Sequence, residues 1–404
     1  RFLLNIQSRI LTSFLRRLKR LLNNSIFMNR IKPFSLLIKP VSASCNLRCE
    51  YCFYIDHLDY IKEGDKPVMS DATLEKMISG YMGMALEEYN FNWQGGEPTI
   101  PGLKFFERVV ELQKQYAPSN AKVSNSLQTN ATLIDQPMAE FFVKNNFLLG
   151  VSLDGPKANH NKFRLTERGN PTHSKVMQGI NHLRRAKTEF NILCLVNSDN
   201  VKTPKELYRY YREKGFSFLQ FIPCVEYDEK GDLTHYSIDG RQWGEFLCEI
   251  FDIWYRKDSR RVSIRHFDSV LNYLVMNRYT QCIMDKDCRQ YFVVEYDGGI
   301  YPCDFFVKKE LELGNIYTSS WEEALISPLY EDFGKRKGQW NSRCNSCKWL
   351  QLCHGDCRKM RGPDNNPSTL STLCEGWQMF YNHTMERFEK LAQSIKEQKP
   401  YLQE

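Results

Sequence analysis

Between residues 35 and 223 the chain alternates between two hydrophobic periods. Short β-rich runs at 35–39, 89–93, 122–128, 147–153, 190–196 and 218–223 are separated by amphipathic helical segments near 71–87, 102–116, 135–145, 173–188 and 203–214. Strands that alternate with helices of this length form parallel βαβ units, so the pattern specifies an α/β fold. Six strands fall short of a closed eight-stranded barrel, and an open, partial (βα)6 barrel is expected. Such folds carry their chemistry at the C-terminal ends of the strands. Four polar motifs stand at four consecutive strand ends: Cys45 after the first, Gln94-Gly95-Gly96-Glu97-Pro98 after the second, Gln128-Thr129-Asn130 after the third and Ser152-Leu153-Asp154-Gly155 after the fourth. They are expected to converge on one face.

The full length of 404 residues leaves room for a smaller second module. Hydrophobic and charged contents of 42% and 25% are those of an ordinary globular protein and exclude a disordered, collagen-like or coiled-coil chain. No run of 18 apolar residues marks a membrane span. Ten of the 55 Lys and Arg lie in residues 1–49, which hold no Asp or Glu, so the remaining 45 fall three short of the 48 acidic side chains. The body is therefore not basic and offers no obvious surface for nucleic acid. Residues 1–32 form a basic extension in which Leu11, Phe14, Leu15, Leu18 and Leu22 recur at helical spacing. It reads either as a helix for a membrane surface or an anionic partner, or as a dispensable stretch ahead of a start at Met28. It makes a poor signal peptide, because arginines break its apolar run. The expected divisions are a barrel at 33–232, a helical linker at 233–281, a cysteine-rich module at 282–375 and a C-terminal helix at 376–404.

Fourteen cysteines are the unusual count, and eleven fall in two groups. Clustered cysteines in a chain with no clear secretory signal read as metal ligands in a reducing compartment, and the cytoplasm is expected. Cys45, Cys49 and Cys52 make C-x3-C-x2-C followed by Phe53 and Tyr54. Three thiolates on one short loop can hold three irons of a cubic cluster and leave the fourth open to an outside ligand. A zinc site short of a ligand is the plainer alternative. The second group is Cys282, Cys288 and Cys303, then Cys344, Cys347, Cys353, Cys357 and Cys374. Eight thiols suffice for two fully ligated iron–sulfur clusters or for two four-cysteine zinc sites. Cys194, in a strand, reads as a buried small hydrophobe. His354, inside the module, is expected to face solvent, and Trp321 and Trp340 to pack its loops.

The Cys-x3-Cys-x2-Cys-Phe-Tyr loop and Gly95-Gly96-Glu97-Pro98 resemble radical S-adenosylmethionine enzymes, and the second cysteine group, with Gly298 ahead of Tyr301-Pro302-Cys303, resembles their SPASM extension. Within that class, Ser35-Leu36-Leu37-Ile38-Lys39-Pro40, Trp93-Gln94-Gly95-Gly96-Glu97-Pro98, Asn125-Ser126-Leu127-Gln128-Thr129-Asn130, Gly150-Val151-Ser152-Leu153-Asp154-Gly155-Pro156 and Tyr301-Pro302-Cys303-Asp304-Phe305 look like the anaerobic sulfatase-maturating enzymes over roughly residues 33–385. Ala131 departs from the family's usual glycine.

The resemblance implies a partial (βα)6 radical SAM barrel followed by a SPASM auxiliary-cluster domain, with three [4Fe-4S] clusters and S-adenosylmethionine. One cluster would sit on Cys45, Cys49 and Cys52, a second on Cys282, Cys288, Cys303 and Cys357, and a third on Cys344, Cys347, Cys353 and Cys374. Gly95, Gly96 and Glu97 would receive the cofactor's methionine ammonium. Ser152 and Asp154 would lie near its ribose and methionine, although Asp154-Gly155-Pro156 reads equally as a plain turn. His160 and Arg164 would act from behind the contacts.

The implied reaction turns a Cys or Ser of a sulfatase precursor, in a Cys/Ser-x-Pro/Ala-x-Arg type motif, into Cα-formylglycine. Asp304 would be the base, unless it is an ordinary surface or anchoring carboxylate. Gln94 and Gln128 would hold the substrate backbone and Tyr54 would line the site. An electron donor such as ferredoxin or flavodoxin is implied, and a monomer that contacts neither nucleic acid nor membrane is expected. The alternatives are a SPASM-type maturase forming thioethers or crosslinks, and a non-catalytic zinc-binding interaction protein.

Overall fold

The computed structural model describes residues 33–55, 67–84, 86–364 and 366–397; the expectations for the basic segment 1–32 fall outside them. The six expected strands form as β1 (Ser35–Ile38), β2 (Glu88–Trp93), β3 (Lys122–Thr129), β4 (Phe147–Ser152), β5 (Phe190–Val196) and β6 (Phe218–Pro223). Between them lie α1 (Asp71–Met82), α2 (Leu103–Tyr116), α3 (Gln136–Lys144), the short α4 (Lys157–Phe163), α5 (His173–Ala186) and α6 (Pro204–Glu213). The side chains of Ser70 and Asp135 accept from backbone N–H groups of Thr73 and Met138 and start α1 and α3. α1 stops at Met82, short of the expected 87, because Gly83 turns its N–H onto the carbonyls of Ser79 and Tyr81.

The sheet continues past six strands. β7 (Ser263–Ile264) extends it beside β6, and β8 (Tyr291–Val294), β9 (Gly299–Tyr301) and β10 (Gly314–Asn315) extend it beside β1, giving the order β10-β9-β8-β1-β2-β3-β4-β5-β6-β7. The cysteine-rich module therefore grows directly from the barrel edge, with β8 parallel to β1 and β8–β9 antiparallel. α7 (Gly240–Lys257) and α8 (Arg265–Met276) lead into it. The short helices α9 (Trp321–Leu325), α10 (Pro328–Lys335) and α11 (Leu350–Cys353) carry its loops, and α12 (Cys374–Lys396) closes it against α7 and α8. α12 approaches α7 closely because glycines meet there: a Cβ at Gly376 would stand 2.1 Å from Gly240 O.

Register decides which side chains face the barrel interior. Leu36, Phe91, Trp93 and Leu127 are paired across β1, β2 and β3 and bury outward under the helices. The opposite parity points inward and is polar on β2 and β3, with Asn92 donating to Leu36 O (2.9 Å) and Ser126 to Asn92 (2.7 Å). Cys194 is buried on β5, as expected, and Trp321 packs against Phe34, Tyr81 and Phe292. His354 does not face solvent. It is 5% exposed, with Nδ1–H donating to Met284 O at 2.7 Å and Trp340 beside its ring. Left-handed backbone at His354, Gly355 and Asp356 folds that turn inward, which cysteine spacing does not reveal.

Candidate active site

The inward parity runs through Leu37, Asn92, Ser126, Gly150 and Val293, so its next members at the C-terminal ends are Lys39, Gln94, Gln128, Ser152 and Glu295. Main-chain bonds from Lys39 N to Val294 O and from Gln94 N to Ile38 O, both 2.9 Å, extend the ladder to these positions. Gln128 is half-buried and Ser152 buried at their strand ends.

The cysteine loop is pinned from two sides. Arg48 N and Glu50 N donate to Leu165 O (2.7 Å) and Phe163 O (3.0 Å), and the Tyr51 hydroxyl donates to Asp154 Oδ2. Asp154 is fully buried and also accepts from Arg164 Nε (2.9 Å) and Leu195 N (3.0 Å). All three donors belong to the protein, so this carboxylate anchors the loop. His160 lies behind it, accepting from Asp154 N (3.3 Å) and pushed down to about 3 by burial, hence neutral.

On the other side Gly96 N and Glu97 N each donate 2.8 Å bonds to Ser42 O and Ser44 O, on the segment entering Cys45. A Cβ at Gly96 would lie 2.0 Å from Ser44 O, and Gly95 has a φ of +113°, so neither position accommodates a side chain. Glu97 is fully buried. Its Oε1 accepts from Thr99 N, Thr99 Oγ1 and Thr129 Oγ1, and its Oε2, among the described residues, from Asn130 N alone (2.7 Å). Oε2 thus retains acceptor capacity for a cation.

Asn130 Nδ2 reaches Cys45 Sγ at 3.7 Å. Burial pushes the Cys49 thiol up to about 12, Arg164 opposing, so these thiols stay protonated until a cationic centre replaces the protons.

The module delivers the fourth side of the mouth. Asp304 is 4% exposed. Its Oδ2 accepts from Tyr54 Oη (2.5 Å) and Gln94 Nε2 (2.9 Å), and its Oδ1 pairs with Lys39 Nζ (3.0 Å). Lys39 Nζ also pairs with Glu295 (3.2 Å) and lies 4.8 Å from the Tyr54 ring centre. Burial opposes the Lys39 charge, but Asp304 and Glu295 outweigh it and hold Lys39 above its ordinary range. Phe53 packs on Phe305 (4.8 Å between ring centres), so the aromatic tail of the cysteine loop docks onto the Cys303–Phe305 turn.

The module's thiols gather in two sets. Cys303 is raised by Cys357 and Cys288, and Cys357 by Cys282 and Cys288, beyond the effect of burial. Cys344 is raised by Cys374 and Cys347, and Cys353 by Cys347. Cys344, Cys347, Cys353 and Cys374 all line one cavity of about 360 Å³. The described cysteines are all free thiols. Beside the inner set the buried Arg358 leaves Nε without a hydrogen-bond partner. Thiols in fours, a cavity, and cations lacking counter-charge fit anionic iron–sulfur clusters.

Residues 40–211 match the family model of the radical SAM superfamily and residues 282–348 that of an iron–sulfur cluster-binding domain. The cysteine-type anaerobic sulfatase-maturating enzyme of Clostridium perfringens is 40% identical over 90% of this chain and all of its own length. The serine-type enzyme of Bacteroides thetaiotaomicron is 38% identical over 87% of this chain and 89% of its own. This chain is an anaerobic sulfatase-maturating enzyme by family. The solved structure of native anSMEcpe with bound AdoMet superposes with a TM-score of 0.85 at 40% identity, covering 90% of this chain and 100% of that one. A sulfatase-maturating enzyme of this family carries radical SAM and SPASM domains with [4Fe-4S] clusters, and no helix among the described residues is long and apolar enough to cross a membrane.

Sequence reasoning passed over Lys39, Glu295, Tyr51 and Asn130 as site residues. The signal for Lys39 was available: a lysine closing a buried apolar strand must find an anion.

Proposed function

We propose that this chain oxidises a Cys or Ser side chain of a sulfatase precursor to Cα-formylglycine, and that Asp304 is the base. Cys45, Cys49 and Cys52 would hold the cluster that binds S-adenosylmethionine, with Gly95, Gly96, Glu97 and Ser152 around the cofactor. When bound, these groups supply a 5′-deoxyadenosyl radical that removes hydrogen from the substrate Cβ. Asp304 takes the proton of the substrate thiol or hydroxyl, a role worth about 10²–10⁴ in rate for general bases. Tyr54 and Gln94 fix the carboxylate's Oδ2 from one side and Lys39 its Oδ1 from the other, so the base cannot rotate away. Gln94 and Gln128 face the space where the peptide backbone would run. Asp154 and Arg164 hold the cysteine loop from behind.

The inner and outer thiol sets would hold the auxiliary clusters. Free thiols throughout the described residues suit a reducing compartment, and a cytoplasmic monomer served by a ferredoxin- or flavodoxin-type donor is the fuller reading.

The observation that carries the proposal is a buried carboxylate at the barrel mouth, one residue from a cluster thiol. The test is anaerobic reconstitution followed by incubation with S-adenosylmethionine, dithionite and a Cys-x-Pro-x-Arg peptide. Replacement of the thiol by an aldehyde, with matching 5′-deoxyadenosine, is expected. Asp304→Asn is expected to lower aldehyde formation at least 100-fold while 5′-deoxyadenosine still forms. An Asp304→Asn enzyme with normal product would remove Asp304 from the base role. A crosslinked peptide in place of the aldehyde would move the chain to another chemistry.

A further inference from the structure

Three cations are buried in the module outside any ion pair among the described residues, although Arg361 feels the buried Asp356 nearby. Lys337 is 1% exposed, Arg358 5% and Arg361 0%. Among the described residues none of them stands within ion-pairing distance of an Asp or Glu, unlike their neighbours Lys335, Arg336 and Lys359. Their protons go to main-chain carbonyls. Lys337 Nζ donates to Ile283 O (3.1 Å) and Asp285 O, just past Cys282. Arg358 donates to Phe333 O (3.2 Å) and lies between the rings of Phe306 and Phe333 at 5.1 and 4.6 Å. Arg361 donates to the carbonyls of His354, Gly355 and Asp356, the turn that joins Cys353 of the outer set to Cys357 of the inner one.

The inner thiols are what the three cations share. Burial pushes Cys288 up to about 11, and Lys337, Arg358 and Arg361 all pull against it. Lys337 acts likewise on Cys282, with Arg265 behind it; Arg358 feels Cys288 and then Cys303, and Arg361 feels Asp356 before Cys357 and Cys288. The outer set also meets three, Lys337 at Cys353, Arg361 at Cys344 and Arg343 at Cys344 and Cys374, but Arg343 is exposed where Arg358 of the inner set is buried. Main-chain carbonyls satisfy the protons of Lys337 and Arg358 but not their charge, so an anion among the inner thiols would stabilise both. Reducing a four-thiolate cluster adds one negative charge, and buried cations favour that state more strongly than exposed, solvent-screened ones do.

We propose that Lys337, Arg358 and Arg361 form a buried cationic cage that makes the inner auxiliary cluster the easier of the two to reduce. The inference rests on the reading that the eight module thiols hold two clusters. In the oxidation the substrate thiol would give one proton to Asp304 as the carbon–sulfur double bond forms, and a cluster held by Cys282, Cys288, Cys303 and Cys357 would supply the acceptor for the one electron released. A cluster held by Cys344, Cys347, Cys353 and Cys374 would supply the relay to a soluble one-electron carrier.

Potentiometric EPR titration of the anaerobically reconstituted holoenzyme reads the ordering. The cofactor-binding cluster is recognised by its response to S-adenosylmethionine, and the outer couple by its absence in Cys374→Ala. In the unmodified enzyme the inner couple is expected to be the higher. Lys337→Met and Arg358→Met should each shift its reduction equilibrium about tenfold toward the oxidised form, a fall of 59 mV for a one-electron couple. The outer couple should move less, and Arg358→Lys, which keeps the charge, should stay near the unmodified value. An outer couple that is the higher of the two overturns the proposal, as does an unmoved inner couple in a variant with full iron. The ordering in the unmodified enzyme decides even if a variant fails to load. Failure of the underlying reading looks different: fewer than three couples and about eight irons per chain or fewer.

Discussion

Lys39 shows how much one side chain can hold in a barrel mouth. It joins Asp304 to Glu295 at the C-terminal end of β8 and lies against Tyr54, with 1% of its surface exposed. Lys39→Met leaves two buried carboxylates facing each other, and removing one partner of a buried pair costs about 3–5 kcal/mol. We expect an anaerobic denaturant titration to show a loss of that order, and 5′-deoxyadenosine to form without matching product. His266 carries a second prediction at this scale. Burial pushes it down to about 4, and it bonds Gln281 and Tyr381 as a neutral ring. The unfolded chain binds a proton below the ordinary value of about 6.5 that the native state refuses, so stability falls as pH falls. Between pH 7 and 5 the loss is about 2 kcal/mol for His266 and about the same for His160. His266→Gln should lose its share of that slope, seen as a smaller shift of the urea midpoint between the two pH values.

The Gly95–Gly96 turn does at the level of an element what Lys39 does at the level of a residue. Its backbone is laid against the 42–44 segment so closely that Gly96→Ala must displace the entry to Cys45. The expected result is a protein that folds with its module intact, loses about four irons per chain and no longer binds S-adenosylmethionine, read by iron analysis and equilibrium binding. Elements of this kind were largely legible in the sequence. Short β-rich runs between helical segments located all six barrel strands to within a residue or two, and the four motifs do stand at their C-terminal ends. Legibility failed where the cause is tertiary. The end of α1 depends on a glycine cap inside an apolar pattern, and the burial of His354 on a left-handed turn. Nor did the sequence reveal that the Asp154 carboxylate binds Tyr51, Arg164 and Leu195 N, partners that only the folded chain brings together. Spacing alone did not sort the module's eight thiols into fours; the resemblance implied that grouping, and the folded chain sets Cys344, Cys347, Cys353 and Cys374 around one cavity.

For the whole molecule, the addition of β8 to the edge of β1 matters most, because it sets Asp304 against Tyr54 across 250 positions of sequence. The two parts of the chain are one sheet, and the mouth lies on the seam. Synthesis runs in one direction, so the cysteine loop, the glycine turn and Lys39 leave the ribosome long before Asp304 does. Until the 282–304 stretch docks, Lys39 has neither of its carboxylates. On the proposed role of Asp304, the order of translation would keep a half-made enzyme from completing the oxidation, because the base would reach the mouth after the cysteine loop, the glycine turn and Lys39.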